Sequence, residues 1–123
     1  MRFLKKKSAL MSKITHTYRA VTKDGTVFTR KSHRAYQVFW LVRFNPAKLG
    51  DDDMRHGWTE QGFARDQGAA EQAVKRCLPS LPRKHPYESP GEWQKRLAEC
   101  EPWYRARVAA GWTIEYAPVE IDK

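Results

Sequence analysis

The chain predicts an α+β fold: an antiparallel sheet, made of a three-stranded meander plus a C-terminal strand, with two or three helices packed on one face. Three observations carry this. Runs of β-branched and aromatic residues fill much of positions 14–44 and are broken by an Asp-Gly turn. Apolar residues at helical spacing follow over 67–78 and again from 90 onward. Alternation with period two returns after Gly111.

Element by element, ITHTYRAV (14–21) is rich in β-branched and aromatic residues and has no breaker, so it reads as a strand. Asp24-Gly25 then signals a hairpin, because glycine accepts positive φ, and TVFTRK (26–31) returns as the second strand. AYQVFWLVRF (35–44) is apolar on both faces, with Tyr36, Val38, Trp40 and Val42 on one and Phe39 and Leu41 on the other. A strand of that kind is covered on part of each side and completes the meander. Residues 45–57 read as a loop, and GWTEQGFAR (57–65) as a fourth short strand weakened by its two glycines.

QGAAEQAVKRCL (67–78) places Ala70, Ala73, Val74, Cys77 and Leu78 on one helical stripe, stopped by Pro79. A proline-rich connector follows. Ser89 and Glu92 form a capping box with Pro90 at the tolerant first position, opening a helix whose stripe is Trp93, Leu97, Cys100, Tyr104 and Val108. Pro102 removes a rung of the hydrogen-bond ladder, so two short helices or a kink near 101 are expected before Gly111 ends the run. WTIEYAPVEI alternates Trp112, Ile114 and Tyr116 against Thr113 and Glu115 and should rejoin the sheet.

Residues 1–12 are expected to be a basic leader outside the fold, and 13–123 a single domain. MRFLKKKSAL has the charged start of a signal peptide without the apolar stretch that must follow, and Met11 opens a second plausible start. No apolar run approaches the roughly 20 residues that cross a bilayer. Cys77 and Cys100 have no partner spacing and are expected as reduced thiols in a cytoplasmic protein, a lone disulfide being the alternative.

Charge is the most informative property. Residues 1–48 hold twelve Lys and Arg against one acid, Asp24, whereas 51–123 hold eleven against thirteen acids. That asymmetry favours an anionic partner, and the phosphate backbone of a nucleic acid is the first choice. The densest cations, Arg30, Lys31, His33 and Arg34, stand at the mouth of the most hydrophobic strand, where strand ends would hold them rigidly against phosphates. Arg19 and Arg43 would extend the patch if they share its side. Tyr18, Phe28 and Tyr36 would suit stacking on single-stranded bases, but core or flanking sheet positions are the favoured reading for them. Lys75, Arg76, Arg83 and Lys84 form a second basic group, the first two also explained by the helix C-terminus they follow.

Enzyme chemistry finds little footing. His16, His33, His56 and His85 share no ligand spacing, and the cysteines form no C-x-x-C pair, so neither a metal nor another cofactor is expected. Asp51, Asp52 and Asp53 with His56 could be drawn as a metal-dependent nuclease site, but acid runs in Pro/Gly-bounded loops are ordinarily solvated. No phosphate loop, nucleophile elbow or dinucleotide fingerprint is present.

TYRAVTKDGTVFTRKSHRAY resembles the opening of small uncharacterised proteins carried by phages and mobile elements, in the pattern TY...DGT..TRKS.R.Y. The order of elements up to Leu78, with its AAEQAVKR helix, is also similar to the three-stranded DNA-binding domains of the AP2 and integrase type. The first resemblance implies an accessory protein acting in the host cytoplasm. It opens a second function class: an inhibitor, of the anti-CRISPR kind, that binds a host defence complex or nucleoprotein through protein contacts. Trp103, Tyr104 and Arg107 are the interface candidates for that class, since Trp, Tyr and Arg dominate interface energetics.

Overall fold

The computed structural model describes residues 14–47 and 57–122. The leader, the acidic run with His56 and Lys48 lie outside them. The strands are β1 (His16–Val21), β2 (Val27–Ser32), β3 (Val38–Phe44), β4 (Trp58–Ala64), β5 (Trp112–Pro118) and β6 (Glu120–Asp122), and the helices α1 (Gln67–Cys77) and α2 (Pro90–Ala110). The mixed α+β class is as expected. The single sheet is not: the strands form two antiparallel three-stranded sheets, β2-β1-β6 and β4-β3-β5.

Local chemistry explains where the chain does and does not pair. The first hairpin closes as the Asp-Gly turn requires, with Val21 opposite Val27 and Gly25 at φ 86°. Asp24 Oδ1 accepts from the Thr22 hydroxyl and from the Thr26 N–H, which stiffens the turn. β2 does not continue into a hairpin with β3. Instead Ser32 Oγ accepts from the Arg34 N–H at 3.1 Å, and the Gln37 N–H donates to Ala64 O at 2.9 Å. The chain thus turns out of the first sheet at Ser32 and enters β3 already committed to β4.

The C-terminal run is divided between both sheets. Pro118 has no N–H to give to a ladder, and the next residue, Val119, donates to Gln37 O at 3.0 Å. Beyond it, Arg19 stands opposite Glu120 and Tyr18 opposite Ile121 in the first sheet.

Two compact units emerge. The first comprises, among the described residues, 14–41, 61–74 and 115–122. Its core joins Ala20 with Phe39, Leu41 and Ala117, and Phe28, Phe63 and Val119 pack against them. Phe28 of the first sheet stacks on Phe39 of the second with centroids 4.7 Å apart, and Phe63 meets Phe39 edge-on at 5.0 Å. Asp66 caps α1 by accepting from the Ala69 N–H at 2.8 Å, and Ala70 and Val74 are its buried residues.

The second unit comprises 42–47, 57–60 and 75–114. Val42, Phe44 and Ala47 are buried there, and Phe44 stacks on Trp58 at 4.6 Å. Gly57 makes this possible: its φ is 67° and a Cβ would fall 2.5 Å from the Phe44 carbonyl oxygen. Ser89 accepts from the Glu92 N–H at 3.2 Å, with Pro90 opening the helix, as the capping box requires. α2 then runs unbroken through Pro102 to the Gly111 cap, one helix rather than two short ones. None of its residues is fully buried. No helix among the described residues is long and apolar enough to cross a membrane.

Candidate nucleic-acid interface

The basic cluster at the end of β2 is divided by strand geometry. Side chains on a strand alternate between faces, and directly paired residues share a face. Arg30 stands opposite the buried Tyr18, so it belongs to the inward face, where its guanidinium lies 5.2 Å from the centre of the Tyr36 ring. Lys31 stands opposite Thr17 and Arg19 opposite Thr29, so both belong to the outward face. Glu120 and Asp122 pair with Arg19 and Thr17 on that same face. The outward cations therefore share their face with acids from β6, while Arg30, Lys31, His33 and Arg34 are all exposed on or just after the edge strand β2.

Arg34 takes a different place. It is exposed, its backbone is held by Ser32, and it lines a cavity of about 600 Å³ in the first unit. Tyr36, Trp40 and Phe63 supply the aromatic wall, and Arg65 is a second exposed cation on the lining. Ala64, Ala69 and Ala73 add only methyl groups to it. Arg65 is paired loosely with its neighbour Asp66, at 3.6 Å and with 81% of its side chain exposed, a contact worth little in water. Two arginines thus line one aromatic-walled hollow, and a third, Arg30, lies over Tyr36 of its wall. His33 is exposed on the same turn.

The three aromatics Tyr18, Phe28 and Tyr36 are engaged within the fold, the reading favoured for them from the sequence. Tyr18 is 4% exposed, Phe28 is stacked on Phe39, and Tyr36 is enclosed by Arg30, Tyr18 and Phe63. Trp40 was assigned by alternation to a strand face and given no role, and Arg65 and Phe63 were not singled out. One signal pointed to Trp40: a glycine inside a strand marks a close neighbour. Gly62 in β4 is that glycine, and the neighbour is the Trp40 indole.

The remaining candidates lie in the second unit. Arg43 is half-buried and has an interaction partner. Lys75, Arg76, Arg83 and Lys84 are exposed, the first two in the last turn of α1, with Lys84 Nζ donating to His85 O at 3.4 Å. Trp103, Tyr104 and Arg107 come together, with Glu99 and Cys100, as one helical stripe lining a second cavity of about 600 Å³, opposite Pro79, Ser80 and Pro82 of the connector. Trp103 is half-buried there. The Arg107 guanidinium lies 5.4 Å from the centre of Phe44 and 5.0 Å from that of Trp58, and its Nε is buried with no hydrogen-bond acceptor.

Both cysteines are free and half-buried. Burial, then the Glu60 carboxylate 3.5 Å from its sulfur, pushes the Cys77 thiol up from its ordinary range, which favours the unreactive protonated form. Among the described residues no group of three His, Cys, Asp or Glu is placed to hold a metal ion. No protein-family model, curated protein or solved structure matches the chain.

Proposed function

We propose that this chain is a small, non-catalytic nucleic-acid-binding protein of the accessory kind carried by phages and mobile elements, acting in the host cytoplasm. The observation that carries the reading is the placing of Arg34 and Arg65 on one aromatic-lined cavity, with Arg30 over Tyr36 of its wall. Guanidinium groups match phosphate oxygens in a planar, two-point geometry, and all three are exposed on a strand or short ordered segments rather than on free tails. The test is binding of the whole protein to short single- and double-stranded DNA and RNA across a salt series, beside the Arg30→Ala/Arg34→Ala/Arg65→Ala triple variant. Affinity should fall steeply with salt, and the variant should flatten the log–log slope by about 2 on a single strand, since each phosphate contact contributes about 0.7. Absence of binding by the unaltered protein at low salt would refute the reading.

A second reading, an inhibitor of a host defence complex acting through protein contacts, is favoured by the α2 cavity. Trp103, Tyr104 and the incompletely satisfied Arg107 are the kind of anchors that interfaces use. It would show as salt-tolerant binding to a protein, damaged more by Trp103→Ala than by Arg34→Ala.

A further inference from the structure

We propose that the cavity of the first unit takes a single unpaired nucleobase, stacked on Trp40, so that the protein selects single strands; this rests on the nucleic-acid reading above. The argument begins with the way the indole is held. A Cβ built on Gly62 would lie 2.9 Å from Cζ2, 2.9 Å from Nε1 and 3.0 Å from Cε2 of Trp40. These are three consecutive atoms on the nitrogen-bearing edge of the indole, so it is that edge which comes against the strand at Gly62. The absence of a side chain at Gly62 is therefore what lets the edge of the indole come this close and fixes the ring in place.

Its other surroundings leave a face unused. Trp40 is half-buried and lines the cavity, and among the described residues it has no ring or cation partner. The other two aromatics of the wall are already engaged: Phe63 with Phe39 and Tyr36, and Tyr36 with Tyr18 and Arg30. An indole fixed along one edge, on a cavity lining and otherwise unpartnered, is a stacking platform, and Trp offers the largest π-face for it. Opposite, Ala69 and Ala73 sit one turn apart on α1 and bring only methyl groups to the lining, so a planar ring can enter. The volume of about 600 Å³ falls within that of small-ligand sites.

Charge selects the kind of planar ring. A neutral aromatic ligand would have no use for Arg34 and Arg65 on the lining, whereas a nucleotide carries its base and its phosphate a few ångströms apart. A base in a duplex is stacked and paired and cannot enter without being unpaired, which is the physical source of the preference for single strands.

The test compares two oligomers of about ten nucleotides, within the span that stacking grooves cover. One is all-thymidine, and the other has the same length and charge with every base replaced by an abasic spacer. The full-length protein should bind the base-bearing strand about tenfold or more tightly than the abasic one. Trp40→Ala should bring the two within about threefold of each other, and Arg34→Ala should weaken both alike. Because Trp40→Ala removes a half-buried ring, Ala73→Leu serves as a second variant. It keeps the indole, fills the hollow from the helix side, and should also abolish the difference. Equal affinity of the unaltered protein for both strands would overturn the base site and leave phosphate binding standing. Failure to bind either strand at low salt would overturn both.

Discussion

Arg96 donates to Glu88 through Nε at 2.9 Å and Nη2 at 2.6 Å, and the same Nη2 reaches Arg83 O at 2.6 Å. Glu88 also accepts from the His85 N–H at 2.8 Å, and the guanidinium covers the Trp93 ring at 5.1 Å. This one pair ties the proline-rich connector to α2 within the second unit. The Arg96 guanidinium first, and the His85 N–H second, lower the Glu88 carboxyl from 4.5 to about 2. A depressed carboxyl contributes stability that is whole above its unfolded value and lost as pH falls through the folded one. Glu88→Gln should therefore be less stable than the unaltered protein near neutral pH. The gap should narrow between about 4.5 and about 2 and close below that, read from denaturant midpoints along a pH series. A gap that stays constant into acid would mean that Glu88 acts by shape and not by charge.

At the scale of elements, Pro102 offers the sharpest test. It is exposed inside a helix that continues past it, so the ladder lacks one N–H and the Ala98 carbonyl lacks its usual donor. Pro102→Ala restores that donor without removing packing and should raise stability by about 1–3 kcal/mol in denaturant unfolding. Unchanged or lower stability would show that α2 depends on a bend at this point. The same scale shows which elements were legible in the sequence. β1, β2, α1 and the Ser89 cap follow from period, turn chemistry and capping, all of which act within a few residues. Sheet partnership does not, because it is decided between distant segments. The departure of β3 from the meander depends on Gln37 finding Ala64 and Val119, 27 and 82 residues downstream. Only Pro118, a residue that cannot donate to a ladder, marked in advance the place where the last strand changes sheets. The platform at Trp40 was half legible: alternation gave its face and the glycine in β4 announced a close neighbour, but nothing local said that the neighbour would be the edge of that indole.

At the scale of the molecule, folding redistributes the charge that the linear sequence displays. Among the described residues the first unit holds six Lys and Arg against six Asp and Glu, because Glu115, Glu120 and Asp122 of the last strands join it. The second holds nine against five. The excess read from the first 48 positions therefore rests in good part on Arg2, Lys5, Lys6, Lys7 and Lys13, which precede β1. Two jobs are separated by this. Long-range attraction to a polyanion scales with the number of cations brought near it, whereas choice among strands depends on the cavity. Replacing Lys5, Lys6 and Lys7 by Gln in the full chain should weaken binding at low salt and flatten the salt slope by up to about 2. It should leave the ratio of affinities for base-bearing and abasic strands unchanged if choice among strands belongs to the cavity alone. If the ratio fell with the slope, the cations before β1 would be part of the selecting site, and charge and recognition would not be separable in this fold.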